Sequence, residues 1–174
     1  MCDDLRARQA VSLKEGRVIE LDVPGYRRLR LEHLALDVNG TLALDGGLLP
    51  GVAERLARLR ETLSLHLITA DTHGRQAAID AELHLQAVRL TAGRPEAEQK
   101  AAYVRGLGAD RVVAIGNGAN DALMFREAAL AIAVLGPEGL AGVALHEADV
   151  LTPDIATALD LLANPRRLAA TLRR

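Results

Sequence analysis

Six short apolar runs, each of strand length, constrain this chain more than any other feature. They lie at 34–36, 65–69, 87–90, 112–115, 131–134 and 149–151. Runs this short and continuous suit strands buried on both faces. Between them the spacing turns helical. Val52, Leu56, Leu59 and Leu63 fall on one face and predict a helix over 52–62, where Glu54 and Arg58 can pair four residues apart. Thr72 is placed to cap a helix running to about residue 83. Pro95 suits the first turn of the next helix, which Gly106 or Gly108 ends. Further helices are expected at 121–127 and 153–162. Such alternation predicts an α/β fold: right-handed crossovers and a mostly parallel sheet with helices on both faces. Upstream, two extended runs flank Pro24-Gly25 and predict an N-terminal β-hairpin. Residues 1–16 are polar and unpatterned, a tail or loose helix. The tail is taken through residue 17, and one domain spans 18–174.

Composition narrows the function. The net charge is −2 over 174 residues, without a basic stripe, so nucleic acid is not an expected partner. The arginines at 166, 167, 173 and 174 suit the end of a last helix. Aromatics make up 2%, so stacking on bases or sugars is not an expected mode of binding. The single cysteine, Cys2, excludes an internal disulfide and a cysteine-rich zinc site. No apolar run is long enough for a membrane span and no signal-peptide core is seen, so a cytoplasmic protein without membrane insertion is expected. Lys14 and Lys100 are the only lysines, which gives each some interest. The five histidines show no ligand spacing, and His66, inside an apolar run, reads as a hydrogen-bonded core histidine.

In a parallel sheet the ligand sits at the carboxyl ends of the strands. Polar residues gather at those ends: Asp37 and Asn39, Thr69 and Asp71, Asn117 and Asp121. A carboxylate at a strand end, with a glycine just beyond, can attack an electrophile and let the backbone fold around it. The same residues also fit an ordinary strand-to-turn junction. Thr69 can donate to a phosphoryl oxygen or simply end a strand. Lys100 can neutralise a carboxylate and a transferred phosphoryl group, or sit on a solvated helix face. Gly116-Asn117-Gly118-Ala119-Asn120-Asp121 offers oxygen ligands of the kind magnesium prefers. A dinucleotide fingerprint fails there, because Asp121 stands where a third glycine is needed.

Taken in order, these four segments resemble the haloacid dehalogenase (HAD) superfamily. Asp37-Val38-Asn39-Gly40-Thr41 is similar to its first motif, Asp-x-Asp-Gly-Thr; Thr69 matches the second, Lys100 the third, and 116–121 the fourth, Gly-Asp-Gly-x-Asn-Asp. The stretch 113–139 is similar to the phosphorylation domain of P-type ion pumps, and the closest likeness is to small soluble P-type-ATPase-like hydrolases. The resemblance implies a three-layer Rossmann-like core and an aspartyl phosphate formed on Asp37. It implies magnesium held by Asp37, the Asn39 carbonyl, Asn117 and Asp121. Thr69 and Lys100 would hold phosphoryl oxygens, and Thr41, Ala70 and Asn120 would contact substrate.

Two departures matter. Family phosphatases carry an acid/base Asp where this chain has Asn39, and a magnesium-binding Asp where it has Asn117. Slow turnover and weaker magnesium binding are expected. Both asparagines precede glycine, so deamidation to Asp is expected to restore some activity in aged protein. The gaps after Thr41 and after Thr69 leave no room for a cap domain. An uncapped site suits a large or protein-bound phosphate, or closure by a neighbouring subunit in a homo-oligomer. The reading is a magnesium-dependent phosphohydrolase or phosphotransferase. The alternatives are a non-catalytic phosphate- or magnesium-binding regulatory module, or a structural domain with a decayed site.

Overall fold

The computed structural model describes residues 17–72 and 74–174. The expectation of a tail or loose helix over 1–16, together with Cys2, Lys14 and His73, lies outside the described residues. The chain opens with β1 (Ile19–Asp22) and β2 (Arg28–Leu31), an antiparallel ribbon that pairs Ile19 with Leu31. Its turn needs Gly25, whose φ is 72°. The order is then β3 (His33–Asp37), β4 (Ala43–Leu44), β5 (Gly47–Leu48), α1 (Val52–Leu59) and β6 (Ser64–Thr69). Next come α2 (Gln76–Leu83), β7 (Val88–Arg89), α3 (Glu96–Leu107), β8 (Val112–Gly116) and α4 (Ala122–Glu127). β9 (Leu130–Val134), α5 (Gly142–Glu147), β10 (Val150–Thr152), α6 (Ile155–Ala163) and α7 (Pro165–Leu172) complete it.

The central sheet has six strands in the order β10-β9-β8-β3-β6-β7, and every pairing in it is parallel. β3 therefore lies in the middle. The chain leaves β3 towards β6 on one side and later returns to β8 on the other, which opens a crevice at the carboxyl end of β3.

The two faces of the sheet are unequal. Leu34, Leu36, Val113, Ile115, Leu130 and Ile132 point to one side, where they pack with α1, α6, α7 and the β1-β2 ribbon. Ala35, Ala114, Ala131 and Ala133 point to the other, against Val104, Met124, Phe125 and Ala144 of α3, α4 and α5. Small residues there let the helices lie close to the sheet. The ribbon belongs to the fold: Leu21, Leu29 and Leu31 share a core with Leu168 and Leu172.

Several boundaries differ from those the sequence predicts. α1 ends at Leu59, and 60–63 continue as turns. Among the described residues no ion pair joins Glu54 to Arg58; Arg55 and Arg58 turn to Asp160 on α6 instead. Thr72 does not cap α2. Asp71, held at φ 51°, accepts from the Gln76 N–H at 3.1 Å and marks the helix start. The helix expected at 121–127 divides into a 3-10 turn at 119–121 and then α4. A single last helix is replaced by α6 and α7, broken at Pro165, whose ring nitrogen has no N–H to continue α6. α5 was not foreseen. Among the described residues the only structure between Asp37 and α1 is the small β4-β5 flap, and no cap is present.

Candidate active site

Asp37 ends β3 and is 7% exposed. Its two oxygens have different partners. Oδ1 accepts from the Lys100 ammonium at 2.6 Å, and Oδ2 lies 2.9 Å from the Thr41 hydroxyl. Lys100, on α3, is 1% exposed and so is no solvated helix residue. It also donates to Asp121 Oδ1 at 2.7 Å. One ammonium thus bridges two buried carboxylates. Burial opposes the lysine's charge, but Asp37 and Asp121 more than offset it and hold Lys100 above the ordinary lysine range. Asp37 is the carboxylate left short. Burial and then the Asp121 charge push it up to about 7, against the lowering pull of Lys100 and Thr41.

Asp121 is wholly enclosed, and its second oxygen accepts the backbone N–H groups of Asn117 at 3.0 Å and Gly118 at 2.9 Å. Gly116 is required beneath it, because a side chain there would collide with Asp121 Oδ2. Asn117, at the end of β8, is 7% exposed. Its Oδ1 lies 3.0 Å from the Thr41 hydroxyl, and its amide donates to the Gly139 carbonyl at 3.1 Å. Thr41 is buried behind Asp37, where its one proton serves Asp37 or Asn117.

Thr69, at the end of β6, is also enclosed, and its oxygen accepts the Asp71 N–H at 2.9 Å. The Asn39 amide reaches towards Thr69 at 3.5 Å and Thr72 at 3.2 Å. Asn120 donates to Glu96 at 2.6 Å. Asp37, Asn39, Ala70, Lys100, Asn117 and Asn120 all line one cleft of about 600 Å³. Thr41, Thr69 and Asp121 support it from behind.

Sequence reasoning missed Thr72, Glu96 and Glu138, which also line the cleft. Glu138 sits in Gly136-Pro137-Glu138-Gly139, whose Gly-Pro pair signals a turn without saying where it lands. Among the described residues no cluster of three or more His, Cys, Asp or Glu side chains gathers around one point. His66 is engaged elsewhere, between His33 at 3.1 Å and the Tyr103 hydroxyl at 2.9 Å.

A parallel sheet with a carboxylate-lysine-carboxylate chain at its central strand end makes a Rossmann-like core with a charged cleft. The family profile of haloacid dehalogenase-like hydrolases matches residues 6–129, and the chain belongs to that family. An uncharacterized protein of Methanocaldococcus jannaschii is 46% identical over 63 residues, covering 36% of this chain and 68% of that protein. A 3-deoxy-D-manno-octulosonate 8-phosphate phosphatase from Moraxella catarrhalis, solved with magnesium, phosphate and KDO, superposes with a TM-score of 0.58. It is 20% identical and covers 82% of this chain and 94% of that one, a likeness of fold. A zinc-transporting PIB-type ATPase in an E2.Pi state is 28% identical over 71% of this chain and 20% of its own, with a TM-score of 0.57.

Proposed function

We propose that this hydrolase is a magnesium-dependent phosphohydrolase or phosphotransferase that works through an aspartyl phosphate on Asp37. The observation that carries the reading is the Asp37-Lys100-Asp121 chain on the cleft floor, with Thr41 fixing the second Asp37 oxygen. An Asp37 oxygen would form a bond to phosphorus while the bond to the leaving oxygen breaks. Lys100 already lies within reach of the nucleophile and can move its charge to the incoming phosphoryl oxygens. Thr69, at the neighbouring strand end, would donate its hydroxyl proton to one of them.

The donors present fit magnesium. The open ones are all hard oxygens: the Asp37 carboxylate, the Asn39 backbone carbonyl and the Asn117 side-chain oxygen. Magnesium, when bound, supplies charge neutralisation to the transferred group. Asp121 would serve by orienting Lys100 and the 117–118 backbone.

Asn39 has no titratable proton and its amide is turned to Thr69 and Thr72. A leaving group that needs a proton gets none from it, and water attacking the aspartyl phosphate finds no base there. Leaving groups stable as anions should therefore be favoured, and dephosphorylation should be slow. The open cleft suits a large or protein-bound phosphate, or closure by a second copy in a homo-oligomer. The test is hydrolysis of an acyl and an aryl phosphate with magnesium. Activity should vanish in Asp37→Asn and rise in Asn39→Asp. No activity in either wild type or Asn39→Asp would favour a binding module.

A further inference from the structure

The cleft is short of carboxylate. Asp121 has both oxygens engaged, one by Lys100 and one by two backbone N–H groups, and it is 0% exposed. Asn117 brings an oxygen but no charge. Asp37 is thus the one acid of this chain of contacts that faces the cleft.

A second carboxylate arrives from a loop that the four strand-end segments do not include. The 136–139 turn closes on itself through Gly139 N–H to the Gly136 carbonyl at 2.9 Å. It is seated directly on the loop after Asp37, where a methyl group at Gly136 would stand 2.8 Å from the Gly40 carbonyl oxygen. The space that a side chain on Gly40 would need, at φ 78°, is filled by Glu138 Oε2, and Asn117 Nδ2 lies 2.9 Å from the same point. Asn117 holds the turn as well, through its amide to the Gly139 carbonyl at 3.1 Å and its own carbonyl from the Ala141 N–H at 2.9 Å. Glu138 therefore lies over Gly40 beside Asn117, and it lines the cleft.

We infer that Glu138 is the second open carboxylate of the cation position, supplying the charge that Asn117 lacks. Three observations select this role. The Asn39 side chain points away, to Thr69 and Thr72, so Glu138 stands on the Asn117 side and not on the acid/base side. Among the described residues the Glu138 carboxylate has no hydrogen bond or ion pair, whereas the other rim acid, Glu96, is taken by Asn120. Finally, Asp37 and Asp121 against Lys100 leave a single net negative charge in that chain of contacts, and Glu138 adds a second on the Asn117 side.

The inference rests on the magnesium reading above, and titration calorimetry with magnesium chloride alone separates the two. Wild type should bind, and Asp37→Ala should abolish binding. Glu138→Gln, an exposed position, should raise Kd by about 10–100-fold, the range for losing a group that supports a metal's ligands. Glu138→Asp should recover part of the loss, and Asn117→Asp in the Glu138→Gln background should recover most of it. If Asp37→Ala abolishes binding while Glu138→Gln binds like wild type, this inference is wrong and the magnesium reading stands. If wild type does not bind, or Asp37→Ala binds unchanged, both fall.

Discussion

At the residue scale, Asn39 and Asn117 bring amides, and no charge, to the strand ends around Asp37. Asn39→Asp should raise the turnover of an alkyl phosphate by about 10²–10⁴-fold, the ordinary worth of a placed acid/base group. An acyl phosphate should gain less in its first step, because its leaving group departs without a proton; pre-steady-state kinetics on both substrates would show the split. Lys100 carries a different burden. Removing it leaves two carboxylates facing each other in the interior, so Lys100→Met should lower stability by about 3–5 kcal/mol, read by urea unfolding of the metal-free protein. The expected deamidation finds no support in the geometry. The reaction needs the nitrogen of the following glycine, and Gly40 N–H is held by the Ala43 carbonyl at 2.8 Å while Gly118 N–H is held by Asp121. Peptide mapping of folded, aged protein should show both asparagines intact.

At the element scale, the strand-end segments were legible because the sheet is buried on both faces. Its strands read as apolar runs, and a polar residue at the end of one is conspicuous. Lys100 was legible by its rarity, but its burial was not, because α3 carries glutamates and an arginine on its other faces. The 135–148 stretch was opaque. Gly136, Pro137, Gly139 and Gly142 hide the short helix α5, and nothing local to Glu138 tells that its turn folds back over Gly40. That seating can be tested by itself. Gly136→Ala puts a methyl group against backbone, which cannot swing aside as a side chain can. It should cost about 1–3 kcal/mol and weaken magnesium binding, whereas Gly93→Ala, strained at φ 78° but in open space away from the cleft, should lower stability and leave magnesium binding unchanged. Unfolding curves and calorimetry on the two variants would compare them.

At the scale of the whole molecule, two groups on the adjacent strands β3 and β6 give stability opposite pH dependences. Asp37 has its folded pKa raised to about 7, so its contribution is complete below its ordinary range near pH 4 and is lost as pH rises through 7. His66 is pushed down to about 4, by burial first and then by the neighbouring His33. Its contribution is present above pH 6.5 and fades as pH falls towards 4, by at most about 3 kcal/mol. In metal-free protein the two partly cancel. The difference between wild type and Asp37→Asn should therefore shift one way with pH, and that between wild type and His66→Asn the other, in urea midpoints taken from pH 4 to 7.5. The architecture itself was legible as alternating strands and helices around a carboxyl-end site. The sequence could not tell that the N-terminal ribbon shares a core with α7, a contact between the two ends of the described chain.

The central claim is covalent chemistry at Asp37, and mass spectrometry of the protein after incubation with acetyl phosphate and magnesium tests it most directly. Wild type should gain one phosphoryl group that maps to Asp37. The adduct should be absent from Asp37→Asn and should outlast the one formed by Asn39→Asp. No adduct on either wild type or Asn39→Asp, or one on another residue, would contradict the account.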